Sequence, residues 1–339
     1  MLQAILGLSG LALTDDERAF FRGADPAGFC LFARNCGGKA QLLALTDSLR
    51  EISGRADVPI LIDQEGGRVA RLKPPVWPEF PAGRRFAELY EKAPISAIEA
   101  ARVNAQAIAV MLAEAGINVD CLPVLDVAGE GMHDMIGDRA LGAEPMQVAA
   151  LGRAMLDGLA GGGVAGVIKH MPGHGRARAD SHKELPVVDA GAAELEVDIA
   201  PFRALRDAPM AMTAHVLYPA WDAALPATVS PTIIADVIRR EIGFEGLLMS
   251  DDLAMEALAG SHAERAKAAI AAGCDVALFC SGVMAENEAV AGALGEMSAA
   301  ALARLERAMA GMGTVTSNCP PAQGYDALAA KRDALLAFC

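Results

Sequence analysis

The chain has 339 residues, 53% of them apolar, so it is long enough to bury a large core. Its 43 acidic and 29 basic residues give a net charge of −14, which disfavours binding to nucleic acid or to an anionic membrane. The apolar N-terminus lacks a basic flank and a cleavage site, and we expect no membrane span. Seven dispersed Cys suit buried thiols in a reducing compartment, which predicts a cytoplasmic protein.

Short runs of branched apolar residues alternate with longer Ala-rich segments, a pattern typical of β/α units around a parallel sheet. Eight strands are predicted, at residues 3–7, 28–33, 59–63, 117–122, 166–170, 209–214, 246–250 and 275–280. Helices are predicted at residues 39–52, 98–115, 145–160, 192–206, 231–242 and 262–272, with two more at 285–312 and 322–339. We therefore expect one α/β domain over residues 1–339, a (β/α)8 TIM barrel with extra C-terminal helices.

Signals for the ends of helices agree with this division. Ser230 precedes Pro231, which places a capping residue before a first-turn Pro. Gly116, Gly243 and Gly273 follow helical segments at points where a left-handed C-terminal cap is expected.

Polar residues cluster where the predicted strands end, after the third, fifth, sixth and seventh strands. In barrels of this kind, the loops at the carboxyl ends of the strands form the active site. The loop after the fifth strand is the most informative, because it concentrates one Lys, three His and one Asp in a chain that has only six His. These are Lys169, His170, His174, Asp180 and His182.

Two groups in these loops suit acid, base or nucleophilic chemistry. Asp251 follows an apolar run, and a carboxylate at a strand end suits a nucleophile that attacks an anomeric carbon; from local sequence it could equally cap the next helix, as could Asp252. Asp180 and His182 are two residues apart, so in an extended loop they project to one side and can pair. Taken without the rest of the motif, they would read as solvated loop residues.

Several segments together resemble one family. Residues 168–175 read Ile-Lys-His-Met-Pro-Gly-His-Gly, and Asp-Ser-His follows at 180–182. This resembles the loop of the family 3 glycoside hydrolases, in their single-domain bacterial β-N-acetylhexosaminidase branch, although Met171 stands where the family usually has Phe. The resemblance extends, in the family's order, to residues 28–35, 62–72, 123–127, 136–142, 213–219 and 250–255.

The resemblance implies a role for each matching residue. It implies that Asp251 is the nucleophile, that Asp252 is structural, and that His182 is the general acid and base with Asp180 as its partner. The sugar-binding set that it implies is Asp63, Arg71, Arg139, Lys169 and His170. We expect Glu65, Arg68, His174 and His215 to order the loops around these groups.

The implied activity is removal of a terminal β-linked N-acetylglucosamine with retention of configuration, from 1,6-anhydro-muropeptides in peptidoglycan recycling. The expected partner is a small-molecule sugar, with no nucleic acid, membrane, metal or cofactor. Three alternatives stay open at this point. They are a phosphorylase of the same sugar, a metal-dependent hydrolase that uses His170, His174, Asp180 and His182, and a noncatalytic sugar-binding protein.

Overall fold

A computed structural model describes residues 1–129, 131–181, 183–310, 312 and 324–337. Its strands, numbered along the chain, are β1 (Leu2–Gly7), β2 (Pro26–Leu31), β3 (Ile60–Ile62), β4 (Gln64–Gly66), β5 (Val69–Ala70), β6 (Val119–Asp120), β7 (Ala165–Met171), β8 (Met210–Thr213), β9 (Leu247–Met249) and β10 (Ala277–Phe279). The α-helices are α1 (Asp15–Ala24), α2 (Lys39–Ser53), α3 (Gly83–Lys92), α4 (Pro94–Glu114), α5 (Pro145–Gly161), α6 (Ala192–Ala204), α7 (His262–Ala272), α8 (Met284–Ala293), α9 (Ala299–Met309) and α10 (Tyr325–Leu336).

Eight strands form one parallel sheet in the order β10-β1-β2-β3-β6-β7-β8-β9. The two ends of this sheet meet, because Met249 and Val276 form a parallel bridge and the amide of Asp275 donates to the carbonyl of Leu248 at 2.8 Å. The strands thus follow one another around a barrel in chain order, with helices between them. The α/β barrel expected from the sequence is confirmed.

The eight predicted strands all occur, although most are shorter than expected at one or both ends. Helices α1 and α3 were not predicted, and neither was the hairpin of β4 and β5 that follows the third barrel strand. A signal for α1 is present in the sequence. Thr14 and Glu17 form a reciprocal capping box, in which the Thr14 hydroxyl accepts from the Glu17 amide at 3.1 Å and Glu17 accepts from the Thr14 amide at 2.9 Å.

The predicted helix boundaries are largely confirmed. The Ser230 hydroxyl accepts from the amide of Ile233 at 3.1 Å, and the helix that follows, Ile233–Glu241, is a π-helix. Gly116, Gly243 and Gly273 have φ values of +75°, +76° and +118°, as a left-handed helix end requires.

Helix α4 bears on the expectation that the chain has no membrane span. It has 21 residues and a mean hydropathy of 1.3, so by length and composition alone it could cross a membrane. In the folded chain, 67% of its most apolar window is buried. It packs between α3, α5 and α10, and this core position accounts for its apolar composition.

The C-terminal region corrects the predicted pair of helices, because the first of them is two helices, α8 and α9, separated at residues 294–298. Leu305, Ala308 and Met309 of α9 are buried against the barrel interior. Helix α10 packs on α4, where Arg332 donates to Asn104 at 3.3 Å. Residues 311, 313–323 and 338–339, which complete the predicted tail, lie outside the described residues.

Inward-pointing side chains of alternate barrel strands share one height, as in other barrels of this type. The strand pairing puts Asp63, Lys169 and Asp251, from the ends of β3, β7 and β9, in one polar layer with Gly7 of β1. The layer beneath comes from the other four strands and consists of Cys30, Cys121, Met212 and Leu278. The barrel therefore presents charged groups at its carboxyl end, above an apolar interior.

Candidate active site

A cavity of about 160 Å³ opens above the polar layer. It brings together six of the predicted site residues, from five different strand ends and loops. They are Asp63, Arg71, Arg139, Lys169, His170 and Asp251. Other side chains that line it include Phe32, Glu65, Met135, His174, Ser181, Asp252 and Met255.

Lys169 is the centre of an ion-pair network at the base of this cavity. Its ammonium lies 2.8 Å from Asp63 Oδ1 and 2.7 Å from Glu65 Oε1, and its side chain is only 2% exposed. Arg139 contacts both oxygens of Glu65, with each nitrogen to oxygen distance at 2.8 Å, and Arg71 Nη2 lies 2.7 Å from Asp63 Oδ2. The network thus alternates three cations with two carboxylates, which stabilises buried charge that would otherwise be costly.

Each of the groups in this network is kept in its ionised form by the opposite charges beside it. Burial alone would raise the pKa of Asp63, but Lys169 and Arg71 outweigh it and hold the pKa well below its usual range. Burial likewise opposes ionisation of Glu65, whose pKa is nevertheless lowered to about 2 by Arg139 and Lys169. Burial would lower the pKa of Lys169, yet the two carboxylates raise it. All three groups are therefore charged at neutral pH.

A second buried network fixes His170. Its Nδ1 lies 2.7 Å from Oδ2 of Asp126, while Oδ1 of the same carboxylate accepts from the amides of His170 at 3.2 Å and His174 at 2.7 Å. Burial would raise the pKa of Asp126, but His170 and His174 lower it to about 2. An ionised carboxylate can only accept, so Nδ1 donates its proton to Asp126 and Nε2 is the nitrogen left for a ligand.

His174 lies beside His170, with the ring centroids 5.8 Å apart and the rings nearly perpendicular. Both of its ring nitrogens are buried and meet no hydrogen-bonding partner within the part of the chain that is described. Burial lowers the pKa of His174 to about 4, so the ring is neutral at pH 7. It presents an uncharged polar edge at the wall of the cavity.

Asp251 and Asp252 are adjacent but have different surroundings. Among the described residues, Oδ1 of Asp251 accepts from the amide of Asp252, at 2.8 Å, whereas Oδ1 of Asp252 accepts from the amides of Ala254 and Cys280, both at 3.0 Å. Asp252 thereby ties the loop after β9 to the end of β10. Asp251 is held at its backbone, where its amide donates to Thr213 Oγ1 at 3.3 Å.

The two carboxyls also differ in acidity. Burial by itself would raise the pKa of Asp251, but His215 and His170 lower it below the usual value. For Asp252, burial prevails and raises the pKa to about 6. Of the two, Asp251 is thus the more completely ionised at neutral pH, as a nucleophile needs to be.

The loop after β7 is anchored at several points. The Tyr218 hydroxyl donates to the carbonyl of Gly173 at 2.6 Å, and Arg176 Nε lies 2.6 Å from Asp198. Gly175 passes so close to Val127 that a Cβ there would lie 1.8 Å from the Val127 carbonyl oxygen. Only glycine allows so close an approach. Gly175 begins the segment that leads to Asp180.

Of the predicted general acid and its partner, the structure describes the partner, Asp180. Asp180 is half-buried and its carbonyl accepts from the amides of Lys183 and Glu184, at 2.9 and 3.1 Å. Its side chain does not line the cavity, although the neighbouring Ser181 does. His182 lies outside the described residues, so its assignment stays a prediction.

Sequence reasoning understated some contributors and missed others. Glu65 was expected only to order the loops, but it lines the cavity and pairs with two cations. Asp126 was not singled out, although it ends the run Pro-Val-Leu-Asp near a strand end, a position that could have drawn attention to it. Arg68, as expected, orders a loop, through Asp138 at 2.8 Å and the carbonyl of Met135 at 2.6 Å.

A metal centre of several ligands finds no support in the described part of the chain. There, no three side chains of His, Cys, Asp or Glu are grouped so that they could hold a metal ion. The alternative set of His170, His174, Asp180 and His182 includes one residue outside that part and is not tested as a whole.

A parallel barrel with charged and polar side chains gathered at its carboxyl end has the architecture of a barrel enzyme. Comparison with known proteins specifies the class. Residues 5–310 match the glycosyl hydrolase family 3 N-terminal domain. The chain belongs to this family and is a glycoside hydrolase.

Its relatives include the β-hexosaminidases of Bordetella avium, 39% identical over 281 residues (81% of this chain and 79% of the relative), and Nitrosomonas eutropha, 37% identical over 318 residues (92% and 90%). Among solved structures, the chain is similar to NagZ from Neisseria gonorrhoeae in complex with N-trifluoroacetyl-D-glucosamine. The two are 32% identical with a TM-score of 0.88, and the alignment covers 98% of each chain.

Proposed function

We propose that this protein is an exo-acting, retaining β-N-acetylglucosaminidase. The observation that carries the proposal is the common layer of Asp63, Lys169 and Asp251, in which an ionised carboxylate lies beside a fixed set of polar groups at one cavity. The curated relatives are named β-hexosaminidases, and the structure of the N. gonorrhoeae relative contains an N-acylated glucosamine. Both support a substrate of this class.

In the proposed reaction, Asp251 attacks the anomeric carbon and forms a covalent glycosyl ester while the glycosidic bond breaks. His182 gives its proton to the departing oxygen, and Asp180 favours the charged imidazolium that makes this possible. His182 then takes a proton from water, which attacks the same carbon and releases Asp251. Two displacements at one carbon retain its configuration.

The sugar hydroxyls are proposed to bind Asp63, Arg71, Arg139, Lys169 and His170. The ammonium of Lys169 has three N–H donors. Two of them face Asp63 and Glu65, which leaves the third for a ligand. His170 offers Nε2, because Asp126 occupies Nδ1. Arg139 is committed to Glu65 through two bonds, so we assign it a fixed position at the cavity wall and contact through its remaining donors.

The finer features of the proposal come from the family resemblance. The proposed substrates are 1,6-anhydro-muropeptides released during peptidoglycan recycling, in the cytoplasm. Residues 1–339 are proposed to act as one catalytic domain, without metal or cofactor and without a nucleic-acid or membrane partner. The net charge of −14 agrees with the last two points.

The test is turnover of an aryl β-N-acetylglucosaminide, measured with and without phosphate and after prolonged chelation. We expect hydrolysis with β-N-acetylglucosamine as the first product and no loss after chelation. Formation of a sugar phosphate with rates that depend on phosphate would instead indicate a phosphorylase. Loss of activity on chelation with recovery in zinc would contradict the proposed mechanism.

A further inference from the structure

Three buried polar side chains connect the backbone on the two sides of the proposed nucleophile. Thr213 ends β8, His215 lies two residues beyond it, and Thr228 belongs to a short 3-10 helix, Ala227–Val229. All three side chains are fully buried. We call these three residues the polar set. The reaction proposed above gives Thr213 and Thr228 no role, and Thr228 does not line the cavity.

The polar set forms a continuous series of hydrogen bonds between two adjacent residues. The amide of Asp251 donates to Thr213 Oγ1 at 3.3 Å, and Thr213 Oγ1 lies 2.8 Å from Thr228 Oγ1. Thr228 Oγ1 in turn lies 2.8 Å from His215 Nδ1. At the other side of the ring, His215 Nε2 lies 3.1 Å from the carbonyl oxygen of Asp252. The series therefore leaves the backbone at the amide of Asp251 and returns to it at the carbonyl of Asp252.

The position of each proton in this series follows from the partners. Burial lowers the pKa of His215 below its usual value, so the ring is neutral at neutral pH and carries one N–H. A carbonyl oxygen only accepts, so that N–H is on Nε2 and Nδ1 is an acceptor. Thr228 must then donate to Nδ1. A hydroxyl has one hydrogen, so Thr213 is the donor in its contact with Thr228.

The hydroxyl of Thr228 has a competing acceptor, the carbonyl oxygen of Ala214 at 3.0 Å. Donation to Ala214 instead of His215 would leave the buried Nδ1 without a donor, and a buried polar atom without a partner is costly. We therefore assign the hydrogen of Thr228 to Nδ1. With this assignment, all four contacts of the series have one donor and one acceptor.

The backbone that the polar set holds is the one that orients the nucleophile. The amide of Asp252 donates to Oδ1 of Asp251 at 2.8 Å, and it belongs to the peptide group between these two residues. The polar set holds the backbone on each side of that peptide group, so a rotation that moved its N–H away from Oδ1 would also strain the contacts with Thr213 and His215.

We propose that Thr228 is a positioning residue for Asp251. As the link between Thr213 and His215, its hydroxyl fixes the backbone that directs the carboxylate towards the anomeric carbon. This inference rests on the proposed function, in which Asp251 is the nucleophile. Thr228 acts through the backbone of Asp251 and Asp252 and does not touch the sugar.

The test compares Thr228→Val, which keeps the shape of the side chain without its hydroxyl, with Thr228→Ser, which keeps the hydroxyl. The substrate is a dinitrophenyl β-N-acetylglucosaminide, because its leaving group departs without a proton and kcat/KM then reports attack by Asp251 without help from His182. In Thr228→Val, kcat/KM should fall about 10- to 100-fold, as expected when reacting groups are slightly misplaced. Inhibition by free N-acetylglucosamine should be unchanged, and Thr228→Ser should retain wild-type activity.

The matched control is Thr46→Val. Thr46 is a fully buried threonine of α2 that does not line the cavity, and its hydroxyl donates to the carbonyl of Ala115 at 3.0 Å. Its replacement should lower Tm without changing kcat/KM of the folded protein. Full activity in Thr228→Val, or an equal loss in Thr228→Val and Thr228→Ser, would overturn the proposal. Absence of turnover by the wild type would instead contradict the proposed function.

A second measurement tests the polar set without any turnover. In protein labelled with 15N at histidine, the ring of His215 should show a protonated Nε2 and an unprotonated Nδ1 that accepts a hydrogen bond. The signal can be assigned by its loss in His215→Asn. The Nδ1 resonance should shift in Thr228→Val and stay in place in Thr46→Val. A protonated Nδ1 in the wild type, or an Nδ1 resonance unchanged in Thr228→Val, would overturn the proposal whether or not the glycosidase assay succeeds.

Discussion

His170 Nδ1 lies 2.7 Å from Asp126 Oδ2, and both side chains are buried although 44 positions separate them in the chain. The same carboxylate also accepts from the backbone of His170 and His174. Asp126 thus sets both the orientation of the imidazole and the nitrogen that carries its proton. We therefore expect Asp126 to affect activity indirectly, through the ring of His170 that lines the cavity.

The first prediction concerns this pair. In Asp126→Asn, an amide oxygen can keep the backbone hydrogen bonds, but the amide NH2 then faces Nδ1 and moves the ring proton to Nε2. We expect kcat/KM on an aryl N-acetylglucosaminide to fall about 10- to 100-fold, the usual cost of losing a residue that orients a functional imidazole.

The control for this prediction is Asp138→Asn, because Asp138 pairs with Arg68 at a half-exposed position where an ion pair contributes little. A loss in Asp126→Asn no larger than in this control would show that the tautomer of His170 is unimportant.

The second prediction concerns the nucleophile. Asp251→Asn should lower kcat by about 10⁴-fold or more, the scale expected when a catalytic nucleophile is lost. Asp252→Asn keeps an oxygen for the amides of Ala254 and Cys280, so its loss should be far smaller. A slow fluorinated N-acetylglucosamine donor should label Asp251 in the wild-type protein, as mass spectrometry of peptides would show. Labelling of Asp252 would reverse the two roles.

The third prediction tests the proton donor. Replacing His182 by Ala should reduce turnover of natural disaccharides much more than that of dinitrophenyl glycosides, because the second leaving group departs without a proton. Asp180→Asn should give a milder form of the same selectivity, since the imidazole remains but loses the carboxylate that favours its charged form. Equal losses on both substrates would make His182 a binding or structural residue, and Glu65 would be the next candidate to test.

The fourth prediction follows from Asp120, whose carboxyl is buried next to the polar layer. Oδ1 accepts from the amide of Gln64 at 2.9 Å, while Oδ2 meets no partner among the described residues. Burial raises the pKa of Asp120 from 3.8 to about 8. The folded state therefore binds this proton more tightly than the unfolded chain. The resulting stabilisation is complete below about pH 4 and is lost as pH rises towards 8.

Asp120→Asn removes this titration and keeps an oxygen for Gln64. The free energy of unfolding of the variant minus that of the wild type should thus be larger at pH 8.5 than at pH 5, by at least about 1 kcal/mol. This corresponds to about 2 °C in Tm, measured by calorimetry at both pH values. An identical difference at the two pH values would show that Asp120 does not change its protonation in this range.

The periodicity of the sequence was enough to predict a barrel. Strands such as β7 and β9 are short apolar runs, helices such as α5 are longer and Ala-rich, and each of these patterns depends only on neighbours along the chain. The position of polar groups at strand ends was equally local, since Lys169 directly follows an apolar run and Asp251 lies one residue beyond another. Helix α3 and the hairpin of β4 and β5 were missed, because they fall in a connection without a clear period.

Contacts between distant segments required the tertiary structure. The sequence by itself determined the order of strands and helices and which residues stand where strands end. Only the folded barrel decided that Glu65 joins Lys169 to Arg139 and that Asp126 meets His170. The physical reason is register: the height of a side chain in the barrel depends on how each strand pairs with its neighbours, and a shift of one residue would turn it to the other face.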